Sequence, residues 1–125
     1  MGISLTSKNT DTNLSCSAHT FQDLRLSIAK SKNEALGKIY EEFLDQPDLE
    51  KENAMKELLK NDIALYNFLI HCDCEGTLSS DTCKSLLKSL KDINITENFI
   101  YEEYYASLIA LLHYCEKENE SLIFS

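Results

Sequence analysis

Phe68-Leu69-Ile70-His71-Cys72-Asp73-Cys74-Glu75-Gly76-Thr77-Leu78-Ser79-Ser80-Asp81-Thr82-Cys83 is the stretch on which the fold turns. Its first residues close an apolar helical run, and Gly76 is the residue best suited to a left-handed C-terminal cap. Ser79 or Ser80 then suits the N-cap of a following helix; with Ser79 as the cap, Leu78 and Cys83 fall at the two positions of a hydrophobic staple. The stretch therefore predicts helix, compact joint, helix, and the joint gathers three thiols and three carboxylates.

Upstream, Leu49, Met55, Leu58, Leu59, Ile63, Tyr66, Phe68, Leu69 and Ile70 follow helical spacing, with the apolar stripe broadening toward the end. This predicts one helix whose C-terminal half is deeply buried. Pro47 ends the segment before it, and Asp48 is placed to cap it. Thr20 with Asp23 and Ser31 with Glu34 both fit N-terminal capping patterns, so Phe21 to Leu44 is one bent helix or two joined near Ser31.

Downstream, Cys83, Leu86, Leu87 and Leu90 line one side of a helix from Asp81 to Lys91. Thr96 suits the cap of a last helix from Glu97 to about Lys117, apolar on most faces. Such a helix is expected at the centre of a bundle or in a homodimer interface. Residues 1–19 form an irregular N-terminal segment except for the alternation Ile3-Ser4-Leu5-Thr6, and Leu122-Ile123-Phe124 in the tail 119–125 is a second strand-like fragment. Pairing the two would tie the termini together. The expected architecture is one all-α domain over residues 1–125, a bundle of four or five helices with at most this small two-stranded pairing.

The chain has 125 residues, enough for one core that needs no metal or disulfide staple. Its 21 acids against 12 bases give a net charge of −9, which opposes binding to polymeric DNA or RNA and favours a basic protein surface. No leader pattern and no apolar run of membrane-spanning length occurs, which points to a cytoplasmic protein without membrane contact. There the five cysteines are expected to stay reduced, and the Asn94-Ile95-Thr96 sequon is incidental.

Reaction motifs are not evident. A calcium loop aligned on Gly76 would have His71 at its first position and Thr82 where a bidentate Glu is needed. Zinc could draw on Cys72, Cys74 and Cys83 with His71, His113 or Cys115, but the paired spacing of structural zinc sites is missing. Cys83 and Cys115, with Cys72 or Cys74, read more simply as small core residues. Three glycines provide no phosphate-cradling loop, and Glu41-Glu42 or Glu102-Glu103 reads as solvated surface. No catalytic residue, metal ligand or cofactor is assigned. Arg25, the single arginine, is expected to pair with Asp73 or Glu75, or else to clamp an anionic ligand; Tyr101, Tyr104 and Tyr105 could anchor a partner or stack on a base.

Met1-Gly2-Ile3-Ser4-Leu5, Phe21-x-x-Leu24-Arg25-x-x-Ile28-Ala29 and the Phe68-Leu69-x-x-Cys72-Asp73-Cys74-Glu75-Gly76 joint with Cys83 resemble a group of short bacterial and bacteriophage proteins of uncharacterised function. Those proteins have serine where this chain has Cys72, and a Gly-rich approach to the first helix that is missing here. The resemblance implies a small accessory protein and carries over no catalytic residue.

From size, acidity and missing reaction motifs, the expected function is a non-catalytic binding protein. It would inhibit or neutralise a macromolecular partner, as an immunity protein or a phage anti-defence antagonist does. The alternatives are a sponge sequestering a small nucleotide-like signal, and a metal-binding protein using Cys72, Cys74 and Cys83.

Overall fold

A computed structural model describes residues 2–91, 93 and 102–125. In chain order they form β1 (Gly2–Thr6), β2 (Leu14–Ser17), α1 (Ala18–Lys32), α2 (Glu34–Asp45), α3 (Leu49–Leu58), α4 (Ile63–Ile70), β3 (Thr77–Leu78), α5 (Ser80–Lys91), α6 (Glu102–Glu118) and β4 (Leu122–Phe124). Thr96, the expected cap of the last helix, lies outside the described residues, as do Asn94, Phe99, Ile100 and Tyr101.

The expected all-α class is corrected by a four-stranded antiparallel sheet of order β2-β1-β4-β3. The two fragments expected to pair do so, Leu5 opposite Phe124 and Thr6 opposite Ile123. Leu14–Ser17 adds to one edge and Thr77–Leu78 to the other. Four-residue and two-residue strands are too short to impose a period of two on the sequence, so neither was legible. Ile3, Leu5, Leu14, Leu78, Leu122 and Phe124 are all buried. Phe21 of α1 meets Phe124 edge-on at 6.5 Å and Phe68 of α4 at 6.1 Å, so the sheet and two helices share one aromatic centre.

Local caps set most helix boundaries. Ser17, rather than Thr20, opens α1: the Thr20 amide donates to its Oγ at 3.0 Å. The apolar pattern begins at Phe21, which left the first turn without a signal. Asn33, rather than Ser31, joins α1 to α2, since the Leu36 amide donates to Asn33 Oδ1 at 3.1 Å. The two helices approach closely here: a Cβ on Gly37 would stand 2.6 Å from Lys30 Cγ and 2.7 Å from its Cα, so only glycine fits. Asp48 caps α3 as expected, accepting from the Lys51 amide at 2.8 Å.

The helix expected to run on from Leu49 breaks between Leu58 and Ile63. Lys60-Asn61-Asp62 are turn-compatible residues, and Asp62 is held from outside its own segment. Ser89 Oγ donates to its carboxylate at 2.6 Å, and Lys32 Nζ lies 3.6 Å away. The half after the break, α4, buries Ala64, Leu65, Tyr66, Phe68 and Leu69, as its broad stripe predicts. The described part of the last helix does not take the central place that is one of the two settings expected for it. The described part, α6, buries Leu108, Leu111, Leu112 and Cys115 on one side and leaves Glu102, Glu103, Ala106, Ala110 and His113 exposed.

Candidate functional site

The joint after α4 is a loop from His71 to Gly76 rather than a glycine-capped turn. α4 ends at Ile70, and Gly76, at φ +88°, takes the left-handed conformation six residues later, where its carbonyl accepts from the Phe124 amide at 3.0 Å. β3 and α5 follow: the Thr82 amide donates to Ser79 Oγ at 3.2 Å, and Leu78 and Cys83 are both buried, as the staple requires.

The end of α4 is capped from another helix. Arg25 Nη1 donates to the carbonyls of Phe68 at 3.1 Å, Leu69 at 2.9 Å and His71 at 2.7 Å. A helix leaves its last carbonyls unpaired and gathers partial negative charge there, so a guanidinium fits the position in geometry and in sign. Its carbon also lies 4.3 Å from the centroid of the Phe21 ring. The expected ion pair of Arg25 with Asp73 or Glu75 gives way to these bonds. Asp73 instead favours the cation at longer range, against the burial that pulls the guanidinium below its ordinary value. Arg25 Nε is buried without a hydrogen-bond partner.

Tyr40 on α2 supplies a second donor and a fourth hydrogen bond, its hydroxyl reaching the Leu69 carbonyl at 2.8 Å. Burial pushes this phenol up to about 12, with Arg25 acting in the opposite direction. Between α1, α2 and the loop lies a cleft of about 330 Å³, lined by Arg25, Tyr40, Phe43, Leu44, Ile70 and Asp73 among others. It pairs an apolar wall with a buried cation and an acid at the rim.

His71 braces the loop. Its ring stacks on Phe124 at 4.0 Å, with Nδ1 2.7 Å from the Cys72 carbonyl and Nε2 3.2 Å from the Thr77 carbonyl. Both ring nitrogens are thus engaged, and His71 is not placed as a metal ligand. Cys72 and Cys74 are exposed with sulfurs 3.6 Å apart, so neither is the small core residue expected of one of them. The adjacent sulfur of Cys72 pushes the Cys74 thiol up. Cys83 and Cys115 are fully buried; the Cys83 thiol donates to the Leu78 carbonyl at 3.7 Å, and the influence of Cys115 together with burial pushes it up. The zinc set Cys72, Cys74 and Cys83 is therefore not assembled.

Of the residues singled out in the sequence, Arg25 and Asp73 line the cleft; Glu75 is exposed in the same loop but does not line it. Tyr104 and Tyr105 are half-buried on α6, where the Tyr105 hydroxyl donates to the Leu90 carbonyl at 2.9 Å, and Tyr101 lies outside the described residues. Tyr40, Phe43 and Leu44 were missed as site residues, because their helical spacing is that of ordinary core positions.

A second concavity, about 760 Å³, lies against the α3–α4 break and α5 and is lined by Lys32, Lys60, Lys88, Asp62, Asp81 and Ser85 among others. Its lysines come from three distant segments, so no local motif announced it. No helix among the described residues is long and apolar enough to cross a membrane. No family model, curated protein or solved structure matches this chain.

Proposed function

We propose that the protein is a non-catalytic binding protein that neutralises a basic macromolecular partner, in the manner of an immunity protein or a phage antagonist of host defence. The carrying observation is the acidic tip between α2 and α3. Residues 34–58 hold eight acids against three lysines, a net of −5 out of the chain's −9. Every residue from Asp45 to Glu50 is exposed, and Leu49 stands 69 % exposed among Asp45, Asp48 and Glu50. An apolar side chain rimmed by like charges supplies both an anchor and a steering field for a cationic surface. Phe43 and Leu44, just before Asp45 in the chain, line the cleft together with Asp73.

The test is capture by the wild-type chain compared with a variant carrying Glu42→Lys, Asp45→Lys and Leu49→Ala. Wild type is expected to form a stable complex whose association slows steeply with salt, and the variant to lose it. A complex indifferent to salt and to all three substitutions, or no stable macromolecular partner at all, rejects the proposal.

A second reading, sequestration of a small nucleotide-like ligand, is favoured by the groove that sets Lys32, Lys60 and Lys88 beside Asp62 and Asp81, whose volume falls in the range of small-molecule sites. It moves the ligand away from the tyrosines and Arg25. A nucleotide panel is expected to contain one compound that raises Tm and is recovered unchanged after denaturation, with the effect reduced in Lys88→Ala. Failure of every nucleotide class removes this reading. Native mass spectrometry of the same samples tests pairing through the last helix. Among the described residues, the large exposed apolar side chains, Leu49, Leu58, Ile63 and Ile70, lie on α3 and α4.

A further inference from the structure

We infer that Cys72, Asp73 and Cys74 form an open binding site for a thiophilic divalent cation of the zinc class. The two exposed sulfurs stand 3.6 Å apart, and an Asp73 carboxylate oxygen lies within 4.8 Å of both. A tetrahedral zinc with Zn–S bonds of about 2.3 Å places two thiolates about 3.8 Å apart, so the sulfur pair already has the spacing of one edge of that tetrahedron. A turn of the carboxylate about its side-chain bonds brings the third donor to the ion. The donor set is two soft thiolates and one carboxylate, which selects zinc-class ions over calcium or magnesium.

The loop is held at both ends, which lowers the cost of ordering it around an ion. Arg25 grips the His71 carbonyl, and His71 contacts the carbonyls of Cys72 and Thr77 while stacking on Phe124. The bond from His71 to the Cys72 carbonyl orients the backbone of a ligand residue, the support that metal ligands require. Three donors leave a fourth position open to water or to a side chain of another molecule. Binding exchanges two thiol protons for one divalent ion, and with the Asp73 carboxylate the site carries a net charge of −1. The sequence had suggested Cys83 as a third sulfur; its burial beside Cys115 leaves Asp73 to fill that role. The site does not depend on the partner proposed above.

Cobalt(II) titration of the full chain tests it, with metal removed and thiols kept reduced by a phosphine. One cobalt per chain is expected, with a thiolate-to-cobalt charge-transfer band in the near ultraviolet that an equimolar amount of zinc abolishes. Asp73→Asn is expected to weaken binding about tenfold or more. The double variant Cys72→Ser, Cys74→Ser loses the band, whereas Cys16→Ser, in β2, keeps it. Matching far-ultraviolet circular dichroism shows that these exposed-loop variants remain folded. No band in the reduced wild-type protein, or an unchanged band in the double variant, overturns the assignment.

Discussion

Arg25 and Tyr40 converge on one carbonyl oxygen: that of Leu69 accepts from Arg25 Nη1 at 2.9 Å and from the Tyr40 hydroxyl at 2.8 Å. α1 and α2 thereby both grip the end of α4, which is also where the thiol-bearing loop departs. Stability of the α4 terminus and shape of the cleft are one property.

Replacing Arg25 should therefore cost more than a surface arginine ever does. Arg25→Met removes the donor that serves Phe68, Leu69 and His71, and is expected to lower stability by about 3 kcal/mol or more. Arg25→Lys keeps the charge but loses the flat guanidinium that lies 4.3 Å over the Phe21 ring, and should recover only part of the loss. Urea denaturation of the three proteins checks both; a loss below about 0.5 kcal/mol for Arg25→Met contradicts the capping role.

Alkaline pH should weaken the fold through Tyr40. Its phenol is pushed up to about 12 in the fold, against about 10 for an unfolded tyrosine. The unfolded chain then releases this proton first, so the contribution is complete below pH 10 and disappears as pH rises toward 12. Tyr66, likewise pushed up to about 12 by burial and the Glu52 carboxylate, adds to the same slope. Stability measured from pH 9 to 12 should fall less steeply in Tyr40→Phe than in wild type; equal slopes would refute the assignment to Tyr40.

The α1–α2 junction separates two neighbouring candidates for a cap. Asn33→Ala is expected to lower stability by about 1 kcal/mol through loss of the bond from the Leu36 amide, while exposed Ser31→Ala should be neutral within about 0.5 kcal/mol. The reverse order in thermal unfolding would place the cap at Ser31.

Thiol labelling should sort the cysteines. In the native, reduced, metal-free protein Cys72 and Cys74 are expected to react promptly, Cys16 more slowly, and Cys83 and Cys115 only on unfolding. Mass spectrometry of partly labelled peptides reports the order. Early labelling of Cys83 would contradict its place in the core.

The sequence by itself determined the features written within a few residues: the Asp48 cap, a serine cap at Ser79 or Ser80 with the Leu78–Cys83 staple that follows from Ser79, the burial of the residues after Ile63, and the positive φ of Gly76, though not its place six residues past the helix end. These rest on hydrogen bonds and side-chain periods that span one or two turns, so neighbouring residues suffice to specify them. Tertiary structure alone decided that Leu14–Ser17 and Thr77–Leu78 join the two terminal strands in one sheet, that the helical stripe breaks before Ile63 at Asp62, and that Arg25 caps a helix 43 to 46 residues away in place of pairing with an acid. It likewise put two thiols outside beside Asp73 and two inside. Such outcomes depend on which distant backbone groups lose water together, and a local pattern of residues does not contain their partners.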